Sequence, residues 1–252
     1  MLVELPAGAR EPLRPLFQDF KALHGTWEAA LSANFGSAVA DDAARPTAAL
    51  VILDFYFLAG DASAHAAGEL VARISPPASI AVSGHGWEPL LRECWGDRLQ
   101  LHERVAFEAA PSWDRARLRA QASALPAGFS MVRVDAPTVA AFGELDAALV
   151  YNFPSHEVFL RDGVGFGVLH EGRFVAGCSS FTIGGGKLEF EIDTHPDFRQ
   201  RDLATATGAR MIEHCLDNGL EPCWDAHNPP SAALATKLGF VNPLPYWSYY
   251  LR

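Results

Sequence analysis

Three carboxylates and a histidine alternate along one short stretch of this chain. Lys187–His195 reads as a β-strand, so Glu189, Glu191, Asp193 and His195 share one face and Leu188, Phe190, Ile192 and Thr194 the other. Like charges in such a row repel one another, which raises at least one carboxyl pKa toward the range of a general base. The same stripe attracts a cationic substrate. The solvated face of a half-buried strand gives the same alternation, so the pattern alone leaves both uses open. Shortly after it, Arg199 and Arg201 stand beside Leu203, where a long helical pattern begins. The N–H groups of a helix start and the helix dipole favour an anion, and two guanidinium groups add charge-assisted bonds. An arginine-rich helix start is also ordinary solvated surface, and a second motif is needed to choose.

Other chemistries find little support. The nine histidines never fall in H-x-H or H-E-x-x-H spacing, so no metal site is expected. Cys178-Ser179-Ser180 lacks the glycines of a nucleophile elbow. Gly163-Val164-Gly165-Phe166-Gly167 has the wrong spacing for a dinucleotide fingerprint and lies in a strand; its glycines strip one face for close packing or a ligand. Cys94, Cys178, Cys215 and Cys223 form no C-x-x-C and no disulfide framework. With 30 Asp and Glu against 20 Lys and Arg, the net charge of −10 opposes a nucleic-acid partner and a polybasic membrane anchor. The opening MLVELPAGAREPLRPLF has no leader pattern, and the apolar run Ala48–Gly60 is too short to span a bilayer. A reduced, cytoplasmic globular protein without a membrane partner is expected.

These residues need elements to hold them. In 252 residues, 49% of them hydrophobic, there is room for two domains of about 125 residues. The pattern predicts an α/β protein with a boundary near residue 125, after the charged, Ala-rich stretch that ends in Pro-Ala-Gly, giving domains 1–125 and 126–252. In the first half, Leu13–Phe35 has helical spacing, Ala48–Ala59 reads as one continuous buried strand and Trp87–Trp95 as a helix. The second half reads β, α-α, β-β-β, α, β, α, β: strand 129–134, helices within 137–160, a meander of three strands over 164–195, a long helix over 203–218, strand 222–226, a helix from Asn228-Pro229 to Gly239, and strand 241–251. Its β-α-β unit leaves the long helix's N-terminus open at the strand C-terminal ends.

This order and two motifs resemble the GNAT N-acetyltransferase superfamily. The first motif is His195-Pro196-Asp197-Phe198-Arg199-Gln200-Arg201-Asp202-Leu203-Ala204; the second is Asn228, Ser231 and Lys237-Leu238-Gly239-Phe240. The match covers about residues 128–252. The phrase WDAHN, the A-x-KLGF ending and the extra N-terminal half are similar to the two-part GNAT proteins related to zwittermicin-resistance acetyltransferases. The resemblance implies a GNAT-like mixed sheet flanked by helices, with a smaller α/β domain before it. It implies acetyl-CoA as acyl donor and a small-molecule amine as acceptor. Arg199, Gln200, Arg201, Asp202, Leu203, Ala204 and Thr205 would then surround the pyrophosphate. Backbone near Asp193 and Thr194 would line the acetyl-pantetheine arm, and Asn228 and Ser231 would meet the cofactor from the next β-α junction. Asn228 is also a good N-cap before Pro229, and the two roles are compatible.

Two departures from the family pattern matter. Asp202 replaces the first motif glycine. A carboxylate about 5 Å from a phosphate repels it by roughly 3 kcal/mol at an effective dielectric near 20. Asp202 therefore either turns to solvent, paired with a neighbouring Arg, or weakens cofactor binding. Ala235 stands where many members carry a Tyr that protonates the leaving thiolate. Tyr246, Tyr249 and Tyr250 are candidates for that role, with Tyr249 foremost, though core or edge packing is the other use for each. Glu191 is the first candidate for the base and Glu189 the second. Two functions fit: direct acyl transfer with general-base help, or a GNAT-like module that binds acyl-CoA or a ligand without turnover. Residues 1–125 carry no readable motif and are either a degenerate second GNAT-like unit or a family-specific cap.

Overall fold

The chain runs twice through the same succession of elements. The computed structural model describes residues 2–33, 35–84 and 86–252. The first run is β1 (Val3–Glu4), α1 (Arg14–Phe17), α2 (His24–Ser32), β2 (Ser37–Ala40), β3 (Ala48–Ile52), β4 (Phe55–Gly60), α3 (Ala67–Val71), β5 (Ala78–Val82), α4 (Trp87–Trp95) and β6 (Leu99–Glu108). A linking helix, α5 (Arg115–Ser123), follows. The second run is β7 (Phe129–Arg133), α6 (Val139–Leu145), α7 (His156–Asp162), β8 (Gly165–His170), β9 (Arg173–Gly184), β10 (Lys187–Thr194), α8 (Leu203–Asp217), β11 (Glu221–Ala226), α9 (Pro229–Leu238) and β12 (Val241–Leu251). In each run the first four strands are antiparallel neighbours, and the fourth and fifth, joined by a helix, pair in parallel: β4 with β5, β10 with β11. Of the two readings of the first half, this repeated topology favours a second unit of the same kind.

Two compact units result, the first comprising residues up to Ala106 with Leu244–Arg252, the second Phe107–Pro243. This differs from the expected 1–125 and 126–252 at both ends. Residues 107–125 belong to the second unit. Asp114 caps α5 by accepting from the Arg117 N–H, Arg115 pairs with Asp217 of α8 at 2.5 Å, and Trp113 meets the Phe240 ring edge-on. Arg117 and Gln121 both donate to the carbonyl of Lys237. The last strand goes to the first unit, where Tyr249, Tyr250 and Leu251 pair with Ile80, Ser79 and Ala78 of β5.

In the first unit, side-chain alternation sends Val51 and Phe57 to one face, with Phe17 and Trp27, and Leu50 and Leu58 to the other, with Leu70, Ile80, Trp87 and Leu91. The expected single strand 48–59 is a hairpin, β3 against β4 with Ile52 opposite Tyr56, because the chain turns at Leu53-Asp54. The expected helix over 13–35 is broken, and α2 begins after Leu23, whose φ is +49°.

The second run, β7 to β12, follows the expected order of elements. Met211 and Cys215 of α8 pack on Phe166, Cys178, Leu188, Phe190 and Ile192. On the opposite face the glycines of β8 and β9 admit Phe142 of α6. A Cβ on Gly177 would lie 2.5 Å from that ring, and one on Gly167 would lie 2.4 Å from Phe174. The glycine-stripped face is thus a packing device. α9 lies close on α8, where a Cβ on Gly208 would come within 2.7 Å of Leu238.

Candidate functional site

The site grows from the point where β10 and β11 part. Their parallel register runs Lys187–Glu221, Leu188–Pro222, Glu189–Cys223 and ends there, although β10 continues to Thr194 and β11 to Ala226. A shift of register against β9 falls at the same place, between Glu189 and Phe190. The extra residue is Phe181 of β9, and such a bulge bends the strand that carries it. At the root of the parting sit the rings of Phe190, Trp224 and Phe240, with centroids 5.5–6.0 Å apart. The Trp224 indole N–H donates to Ser231 Oγ at 3.1 Å.

The strand presents the carboxylates as the alternation requires. Glu189 is buried, while Glu191 and Asp193 are half-buried. The Asp193 carboxyl is held above the usual Asp range. Loss of water is the main cause, and Asp146, just before the turn at Ala147–Leu149, adds repulsion. The Thr194 N–H, Arg199 and His195 oppose the shift. Repulsion on Asp193 thus comes in part from another element. His195 ends the strand as a turn residue, its Nδ1 accepting from the Asp197 N–H at 3.3 Å.

The loop to α8 is set by Phe198. Its ring packs against Phe129, His170 and His195, and the Arg201 guanidinium lies over it, 5.3 Å from the centroid. Arg199 Nε donates to the Thr194 carbonyl at 3.1 Å. Gln200 and Asp202 are both left-handed, with φ of +61° and +59°. Asp and Asn tolerate that region better than most residues. At Asp202 it carries a consequence, because a residue that caps its own helix has extended backbone. Asp202 makes no side-chain cap to α8; its carboxylate pairs with Lys237 Nζ at 2.6 Å. The partner is a lysine of the second motif, not a neighbouring arginine. The first turn of α8 (Leu203, Ala204 and Thr205) is left without a capping side chain, and two exposed arginines, Arg199 and Arg201, precede it.

Asn228 is the N-cap of α9, its Oδ1 accepting from the Ser231 N–H at 2.9 Å. Ala235 is wholly buried and offers no hydroxyl. The structure puts Tyr249 in a different unit from these residues. It lies in the core of the first unit, its hydroxyl donates to Glu88 at 3.0 Å, and burial first, then that bond, raises its pKa to about 12. The reason is the strand β12, which pairs with β5. The bond to Glu88 occupies the Tyr249 hydroxyl. Lys237 is the residue that sequence reasoning passed over. It stands in the quoted motif, but no spacing signals a pair 35 residues apart.

Among the described residues no group of three or more His, Cys, Asp or Glu could hold a metal ion, and no helix is long and apolar enough to cross a membrane.

A family model described as GNAT acetyltransferase matches residues 14–249. The uncharacterized N-acetyltransferase YdfB of Bacillus subtilis (strain 168) is 29% identical over 227 residues, covering 85% of each chain. The crystal structure of a GCN5-related N-acetyltransferase-like protein from Streptococcus suis 89/1591 is similar to this one with a TM-score of 0.87 and 31% identity, covering 97% of this chain and 99% of that one. A tandem GNAT protein from the clavulanic acid biosynthesis pathway shares the fold, with a TM-score of 0.57 at 16% identity over 100% of this chain and 98% of that one.

Proposed function

The chain belongs to the GNAT acetyltransferase family and is an N-acetyltransferase of that type, and from this premise we propose that it moves an acetyl group from acetyl-CoA to the amine of a small molecule. The observation that carries the proposal is the start of α8, a fifteen-residue helix with no capping side chain, preceded by Arg199 and Arg201 and following a strand whose parallel pairing has come apart. These groups suit a pyrophosphate: backbone donors, a helix dipole worth roughly 0.3–1 kcal/mol, and two guanidinium groups. The edge of β10 from Phe190 to Thr194, beyond its pairing with β11, suits the amide-bearing pantetheine arm.

Bound acetyl-CoA supplies an activated thioester. The chain's own residues prepare the amine. An ammonium ion is not a nucleophile, so its proton must leave first. Glu191, half-buried and on the acidic face of β10, takes that proton directly or through one water, with Glu189 the second candidate. The carboxylates Glu189, Glu191 and Asp193 also draw a cationic amine to this face. With an alanine at 235, the leaving thiolate departs without help from that helix, which a thiolate tolerates.

Calorimetry with acetyl-CoA, followed by thiol release over a panel of small amines, tests the proposal. Binding and amine-dependent release are expected. Binding without release from any amine would point instead to a sensor. Glu191→Gln is expected to lower kcat by about 10²–10⁴-fold and remove the acidic limb of the pH–rate profile. An unchanged profile would move the base elsewhere.

A further inference from the structure

We propose that Lys237 is a positioning residue for the donor. By holding the Asp202 carboxylate, it lets an aspartate stand where a glycine is expected and keeps the start of α8 open to an anion. The inference rests on the reading that the pyrophosphate of acetyl-CoA binds there.

An aspartate just before a helix ordinarily turns its carboxylate onto the helix's first N–H groups. Those are the donors a phosphate would use. Asp202 does otherwise. Its left-handed backbone, φ +59° and ψ +16°, departs from capping geometry, and Lys237 Nζ holds its Oδ1 at 2.6 Å. Lys237 is itself well placed. It lies in the last turn of α9, where a cation is favoured by the helix dipole, and its carbonyl accepts from Arg117 at 2.7 Å and from Gln121 at 3.3 Å. The pair thus does two things. It removes the carboxylate as a competitor for the N–H groups, and it cancels a negative charge next to the phosphate position. Without Lys237, Asp202 is both an intramolecular mimic of the ligand and a source of repulsion.

The test is a double-mutant cycle on acetyl-CoA affinity by calorimetry. Lys237→Met is expected to weaken binding about tenfold or more, and Asp202→Gly in the same chain to recover most of the loss. Lys237→Arg keeps the charge and is expected to stay within about threefold of wild type, which covers the case in which Lys237→Met fails to fold. Turnover with S-acetylpantetheine, which has no pyrophosphate, reports on structure alone, and its KM is expected to be the same in wild type and Lys237→Met. If the loss persists in Lys237→Met with Asp202→Gly, Lys237 touches the phosphate itself and the positioning role is wrong. Equal affinity of wild type and Lys237→Met would also overturn it, while leaving the donor site intact. Failure of wild type and Asp202→Gly alike to bind acetyl-CoA would instead remove the underlying reading.

Discussion

Single residues in the second unit carry two kinds of duty, and stability measurements separate them from binding. Asp193 holds its proton more tightly folded than unfolded, chiefly because it has lost water. An acid with a raised folded pKa contributes stability below its unfolded value, and that contribution is lost as pH rises through the folded value. Asp193→Asn removes the cost of ionisation and can still accept from the Thr194 N–H. The variant is therefore expected to melt above wild type at pH 7, with the difference shrinking as pH falls toward 3.8. Thermal denaturation across that range checks it. Asn228 caps α9 in the structure, so Asn228→Ala is expected to cost about 1 kcal/mol in urea unfolding. A further loss of acetyl-CoA affinity, measured where both proteins are fully folded, would add the cofactor role that the motif implies. The acidic row and the arginine pair were visible in the sequence because alternation and spacing are local. The partner of Asp202 was not, since it lies on another helix.

Elements position these residues through close approach. Gly165, Gly167 and Gly177 clear one face of β8 and β9 for the ring of Phe142, which is fully buried and meets Phe174 edge-on at 5.3 Å. Gly177→Ala would put a methyl 2.5 Å from that ring. Backbone atoms of a central strand cannot yield much, so the variant is expected to lose about 1–3 kcal/mol in chemical unfolding. The mixed strand order of the second unit was legible because each element there has its own start and stop, such as Asn228-Pro229 and Gly239 around α9. The first half was less so. A strand buried on both faces reads as an apolar run, and Asp54, its one charged residue, was the only mark of the turn at Leu53-Asp54.

At the scale of the whole molecule, two units of one topology need not do the same work. In the first unit the parallel strands stay tied beyond their register. Ser83 donates its N–H to the Leu58 carbonyl, its Oγ accepts from the Gly60 N–H, and the Trp87 indole donates to the Gly60 carbonyl. The helix that follows β4 there has five residues, against fifteen in α8. One acetyl-CoA per chain is therefore expected in calorimetry, and a second equivalent site would contradict it. The sequence by itself determined the elements of the second run, the two motifs at its β-α junctions and the acidic face of β10. All of these depend on neighbours within a turn of helix or a few strand residues. Only the tertiary structure decided that the chain repeats its topology, that β12 belongs with β5, that Tyr249 is bonded to Glu88, and that Lys237 holds Asp202. Each of these joins residues 35 or more positions apart, and pairing at that distance is chosen by the shape and charge of the folded surfaces, which leave no period in the chain.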